Sequence, residues 1–209
     1  MSITRFLKQI AKIPLAHFAL VSLYHRAGLA MSREVAPYVK PEQRILDVGC
    51  GTGIIGSTIA KSLNATVVGT DVRDVREVKI PFSLTKGTRL PFSDKTFDIV
   101  LVSYVLHHVE EVEMLLKEAH RVCRGKIIIY EDTPRNLFHR ASCFLHGFSY
   151  GSLFGINKKC KFRTRREWLS LFQKLHLSLM RTGNIDFFNP IHVTARSLFI
   201  LSPNSSARA

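Results

Sequence analysis

Two aspartates and a run of glycines supply the first residues able to do chemistry. Ile45, Leu46 and Val48 form a short apolar strand pattern that carries Asp47 near its end. Gly49, Gly51 and Gly53 follow at once, letting the backbone turn sharply and approach a ligand without a Cβ in the way. Ile54 to Leu63 then has helical spacing, so the loop opens onto a helix N-terminus. A second acid, Asp71, ends the next apolar run, Ala65 to Thr70. Strand, glycine turn, helix and a distal acid form a cofactor site of the doubly wound α/β type.

The glycine spacing alone admits two chemistries. Gly51 to Gly56 (GTGIIG) satisfies the dinucleotide pattern, and Asp71 lies about 20 residues on, where a ribose-binding acid belongs. An NAD-dependent oxidoreductase is therefore a competing reading. Asp47 decides against it. A pyrophosphate would sit at the helix N-terminus, and an acid at the strand end would repel it. An acid there suits a ligand carrying positive charge.

The elements that must position these residues run along the whole chain. Ile3, Phe6, Leu7 and Ile10 share one face of a predicted helix over residues 2–12, with Arg5, Lys8 and Lys12 elsewhere. Pro14 breaks or restarts it, and Leu15 to Tyr24 continues almost wholly apolar. Such a segment serves as a lid over the cofactor or as a basic amphipathic helix at an anionic membrane surface. A separate short helix is expected over Met31–Val39. Strands are expected at Lys79–Leu84, Phe97–Val102 and Lys126–Tyr130, with a helix at about 110–122 and a loop over Ser103–His108. Residues 133–163 are rich in aromatics, Gly, Ser and bases, which fits a substrate-lid insertion. Thr164 and Glu167 have capping-box spacing before a helix. Leu177–Ile185 and Val193–Leu201 read as two last strands, joined around Asn189-Pro190.

The blocks in this order resemble class I S-adenosylmethionine-dependent methyltransferases, closest to the small ubiquinone/menaquinone-biosynthesis type. ILDVGCGTG is similar to their first motif, VVGTDVR to their second strand and acid, and LPFSDKTFDIVLVSYVLHH to their fourth-strand block. EAHRVCRGKIIIYED resembles their following helix and fifth strand, and the likeness covers roughly residues 40–132. It implies a three-layer Rossmann-like α/β fold with a seven-stranded, mostly parallel sheet and an antiparallel last strand. The implied single domain divides into an N-terminal helical lid (1–39), a cofactor-binding core (40–132), the substrate-lid insertion (133–163) and a C-terminal helix with two strands (164–203).

The resemblance also assigns roles, with S-adenosylmethionine as the cofactor. Asp47 would hold its methionine end, Gly49, Gly51 and Gly53 would let the loop approach it, and Asp71 would accept both ribose hydroxyls. Val72 would lie against adenine, and Ser103 and Tyr104 would flank the methyl. Phe92 and Phe97 are expected in the core, and Asp98 as a structural hydrogen-bonding residue. Lys86 departs from the pattern: relatives often place an acid there for the adenine amino group, and an ammonium has no acceptor. Backbone groups around Gly87-Thr88 are the alternative. That departure keeps open a non-catalytic methyltransferase-fold interaction protein.

Methyl transfer needs alignment, and a base only where the acceptor must lose a proton. His107, His108 and Glu131 lie at the ends of the fourth and fifth strands and are the candidates. Neighbouring side chains on a helix diverge by about 100°, so one histidine is expected to face the cleft.

Charge and cysteine usage bound the partners. The net charge of +14 splits into +5 over residues 1–33, −1 over 34–132 and +10 over 133–209. A neutral centre with basic flanks points to an anionic partner at the flanks. A small hydrophobic or membrane-associated acceptor is preferred to RNA, since no RNA-binding module is present. Cys50, Cys123, Cys143 and Cys160 show neither disulfide nor metal spacing, which fits a cytoplasmic protein, peripheral to a membrane if the N-terminal helix binds one. No metal is expected.

Overall fold

The computed structural model describes residues 14–154, 160–185 and 194–202. Seven strands form one sheet: β1 (Arg44–Val48), β2 (Thr66–Asp71), β3 (Phe82–Leu84), β4 (Phe97–Ser103), β5 (Cys123–Asp132), β6 (Ser178–Asn184) and β7 (Arg196–Ser202). Their order is β3-β2-β1-β4-β5-β7-β6. β7 runs antiparallel to both of its neighbours, and the other pairings are parallel. The expected α/β fold with an antiparallel last strand is thus present.

The central strands β1, β4, β5 and β7 are buried on both sides, so each alternate set of side chains builds its own core. Leu46, Val48, Val100, Val102, Ile127 and Ile129 lie on one face. There they meet Leu115 and Leu116 of α3 (Val112–Val122) and Trp168 and Phe172 of α5 (Arg165–Lys174). Ile45, Ile99, Leu101, Ile128 and Tyr130 lie on the other face. They are covered by Met31 and Val35 of α1 (Pro14–Val35) and Ile59 of α2 (Ile54–Ser62). Strand alternation puts Asp47 on the Ile45 side, facing α2. Phe97 is fully buried and meets Phe92 edge to face at 5.0 Å. Asp98 accepts the Arg44 amide at 2.9 Å and pairs with Arg124 at 2.7 Å, a structural role as expected.

Four elements differ from the sequence expectation. Met31–Val35 is the end of α1 rather than a new helix, followed only by a 3-10 turn over Ala36–Tyr38. Gly28 keeps α1 continuous because it fits against α2: an added Cβ would lie 2.7 Å from Thr58 Cβ. β3 spans only three residues, because Pro81 has no N–H for the ladder and Ile80 is spent on burial against Gly53 and Gly69. β5 extends further at both ends than Lys126–Tyr130. Residues 137–154 of the expected insertion form a helix, α4 (Leu137–Phe154), started where Asn136 Oδ1 accepts the His139 amide at 2.8 Å. The expectations for residues 2–12 and for Asn189-Pro190 lie outside the described residues.

The capping box at α5 is present in both halves. Thr164 Oγ1 accepts the Glu167 amide at 3.3 Å, and Glu167 Oε2 accepts the Thr164 amide at 2.6 Å. Thr164→Ala is expected to lower stability by about 1 kcal/mol, read from the urea midpoint at unchanged slope.

Candidate functional site

The glycine loop is fixed at two ends and open in the middle. Gly49 has φ +69°, and a Cβ there would fall 2.5 Å from Val105 Cγ2, so only glycine is accommodated. Gly53 has φ +74° and backs onto Val78 and Ile80. Gly51 also has positive φ, but among the described residues nothing lies within 4 Å of its Cβ position. The face of the loop at Gly51 is therefore free to receive a ligand.

Asp71 ties this loop to β2. Its Oδ2 accepts the Gly51 amide at 2.9 Å and its Oδ1 the Val72 amide at 2.7 Å. Each oxygen keeps a further lone pair for a ligand. Val72 follows with an exposed side chain. The turn from Lys86 to Arg89 carries Gly87 at φ +67°, and the Lys86 side chain is exposed.

Asp47 is buried beneath the loop and accepts the Gly56 amide in the first turn of α2. The fit is close: a Cβ on Gly56 would sit 2.2 Å from Asp47 Oδ2. Burial first, and then the charge of Asp71, raise the Asp47 carboxyl to about 7. Two acids so placed favour a cation beside them.

A second group lies at the carboxyl ends of β4 and β5. Glu131 is fully buried, with Oε1 accepting the Leu106 amide at 2.7 Å and Oε2 meeting His107 Nδ1 at 2.8 Å. His107 is buried as well, and its Nε2 has no hydrogen-bond partner among the described residues. Phe162 stacks on the imidazole at 4.6 Å, and the Lys161 amide donates to the His107 carbonyl at 2.8 Å. Burial pulls the His107 pKa down, but the Glu131 charge and hydrogen bond outweigh it, and the net shift is upward.

The two adjacent histidines sit on a 3-10 turn with their rings only 4.1 Å apart, closer than the expected divergence, and differ in their polar partners. His107 turns inward to Glu131, while His108 Nδ1 lies 3.2 Å from Cys160 Sγ. Ser103 ends β4, and its buried Oγ has no hydrogen-bond partner among the described residues. Tyr104 adopts φ +58°, an uncommon conformation for an aromatic residue, and donates its amide to the Tyr130 carbonyl at 2.8 Å.

Sequence reasoning missed the buried polar groups beside this site. Asp132 pairs with Arg196 at 3.4 Å, and Thr133 Oγ1 lies 2.8 Å from Ser197 Oγ. Burial chiefly raises the Asp132 carboxyl to about 6. Tyr130 donates its hydroxyl to Glu34 at 3.0 Å. Asp132 and Arg196 are register partners on antiparallel strands far apart in the chain, and no local spacing signals that.

Comparison with known proteins accords with this geometry. Residues 46–129 match the methyltransferase domain family. A demethylmenaquinone methyltransferase of Streptomyces griseus is 36% identical over 101 residues, 44% of each chain. A ubiquinone/menaquinone biosynthesis C-methyltransferase of Cupriavidus metallidurans is 31% identical over 108 residues, again 44% of each. The chain thus matches less than half the length of these curated relatives. The solved structure of a geranyl diphosphate methyltransferase in complex with S-adenosylmethionine superposes with a TM-score of 0.62 at 13% identity, covering 84% of this chain and 85% of that one. Residues 46–129 are thus similar to the methyltransferase domain family, and the chain has the fold of the solved methyltransferase structures.

Proposed function

We propose that the chain transfers a methyl group from S-adenosylmethionine to a small apolar acceptor of the quinone-precursor kind. The observation that carries the proposal is the pair Asp47 and Asp71 set around a glycine loop left open at Gly51. The residues fit this cofactor: Asp71 has lone pairs to spare for ribose hydroxyls, the Asp47 carboxyl favours a nearby cation, and Gly51 leaves space. Val72 would meet adenine, and Ser103 and Tyr104 would line the methionine end. With Lys86 exposed, the backbone at Gly87-Thr88 is the adenine contact we favour. The cofactor, when bound, supplies an electrophilic methyl on a sulfonium.

What this chain's residues contribute is alignment, exclusion of water and one place to hold a proton. His107 is the base we favour among the three candidates. Glu131 fixes its Nδ1 side, leaving Nε2 as the nitrogen able to take a proton from an acceptor. Phe162 covers the ring, so productive binding requires residues 160–163 to lift from it. The acceptor class rests on the names of the relatives, which concern quinone precursors and, for the Cupriavidus protein, methylation at carbon.

Isothermal titration of the full chain with S-adenosylmethionine and with NAD tests the cofactor. Saturable binding of the first alone is expected. Asp71→Ala is expected to weaken it by about 10- to 100-fold, through loss of charge-assisted hydrogen bonds and of the Gly51 tether. Binding of NAD in place of S-adenosylmethionine would sink the reading. Label transfer from methyl-labelled cofactor into a lipid extract then tests the acceptor class.

A further inference from the structure

Over residues 137–145, α4 turns its large apolar side chains outward. Leu137 and Phe144, and likewise Phe138 and Leu145, are seven residues apart and share one stripe, with Ala141 between them. That stripe faces out: Leu137 is 84% exposed, Phe138 66%, Phe144 74% and Leu145 66%. The inward side is marked by Cys143, which is buried with its Sγ 3.3 Å from Thr194 Oγ1. Large apolar side chains gain by leaving water, so four left wet on one helix face mark a surface that something covers.

The charge around the stripe says what. Residues 133–163 contain six Lys/Arg and no Asp or Glu. Arg140 within α4 is exposed, as is Arg135 two residues before the helix, whose guanidinium also donates to Asn184 Oδ1. Leu and Phe on one side with bases and no acids beside them is the composition of a helix that lies in a bilayer interface. Each base near an anionic surface adds to the attraction. A nucleic acid would use the bases and leave the Leu and Phe stripe wet. No helix among the described residues is long and apolar enough to cross a membrane.

We propose that the outward face of α4 seats in the headgroup layer of an anionic lipid bilayer, with Leu137, Phe138, Phe144 and Leu145 inserted and Arg135 and Arg140 on lipid phosphates. α4 begins just after Glu131 and Asp132, at the sheet edge that also carries the glycine loop. Docking would therefore bring the proposed acceptor site to the lipid surface. The inference does not depend on methyl transfer, and its test has no catalytic readout.

The test is flotation of the full chain with phosphatidylcholine vesicles, with and without roughly a third phosphatidylglycerol. The wild type is expected to float only with the anionic vesicles. Phe144→Ser/Leu145→Ser keeps the charge, and is expected to lower the partition coefficient by about 10- to 100-fold. Met114→Ser, on exposed α3 surface, should float as the wild type does. A tryptophan probe, Phe144→Trp, should gain emission that shifts to the blue on anionic vesicles and is quenched by brominated acyl chains. Flotation of the double variant equal to wild type, or an unquenched probe, would show adsorption by charge alone and overturn the proposal. A wild-type dimer that the double variant converts to monomer, without flotation of either, would assign the face to a second copy and overturn it equally.

Discussion

Glu131→Ala is expected to lower the unfolding free energy by about 3–5 kcal/mol at neutral pH, measured by urea denaturation. The carboxylate has no exposure and two buried partners, the Leu106 amide and His107 Nδ1. Its removal strands both, and breaking a buried pair is costly because the remaining group keeps its desolvation. The pH dependence carries a sign that distinguishes this from loss of packing. In the wild type the folded His107 pKa lies above its ordinary value of 6.5, so its stabilising contribution is present below pH 6.5 and fades as pH rises through the folded value. Without Glu131, burial is the leading influence left and pulls the folded pKa down. The imidazole then opposes folding when charged, and stability is lost as pH falls instead. Glu131→Gln keeps an acceptor for the Leu106 amide and should fall between the two. A cost for Glu131→Ala under 1 kcal/mol, with the wild-type pH slope intact, would show that no charged imidazolium is held here.

The division between what the sequence discloses and what only folding reveals follows the range of the interactions. β1, its glycine turn and α2 are adjacent in the chain, so hydrophobic period and glycine placement are enough to find them. The capping box needs only Thr164 and Glu167 at a fixed offset. His107 and Glu131 were each suspected from their strand ends, but their bond depends on β4 and β5 being parallel neighbours, which no single segment encodes. Gly28 packs within α1 against Thr58 of α2, a contact between helices that no local spacing signals. The β3 strand pattern fails at Pro81 because a missing N–H outweighs a run of apolar residues. Asp132 with Arg196, and Thr133 with Ser197, arise from register between β5 and β7. α4 shows the limit in the opposite sense. The aromatic content of its segment is visible from the sequence, whereas the helix and the side it faces emerge only in the fold, through Cys143 and Thr194.

The stability of the ligand-free protein is expected to fall by about 4 kcal/mol between pH 4 and pH 8 on account of Asp47 alone. Its carboxyl rises from 3.8 in the open chain to about 7 in the fold, and each unit is worth about 1.4 kcal/mol. The folded state then holds a proton that the unfolded chain has released, so stability is fully present below pH 3.8 and lost as pH rises through about 7. Asp132, raised to about 6, acts in the same direction, and exposed acid pairs act against it. The measurement is therefore the difference between Asp47→Asn and wild type across that range. The asparagine can still accept the Gly56 amide but never ionises, so its relative stability should grow with pH. Ligand binding should move in the opposite direction. A cationic ligand stabilises the ionised carboxylate, so wild-type affinity for S-adenosylmethionine should strengthen from pH 6 to pH 8 and the Asp47→Asn affinity should stay flat. Such coupling requires the positive end of the ligand to lie beside Asp47. Affinity of the wild type that does not change with pH would place that end elsewhere and leave Asp47 as the residue that secures the first turn of α2.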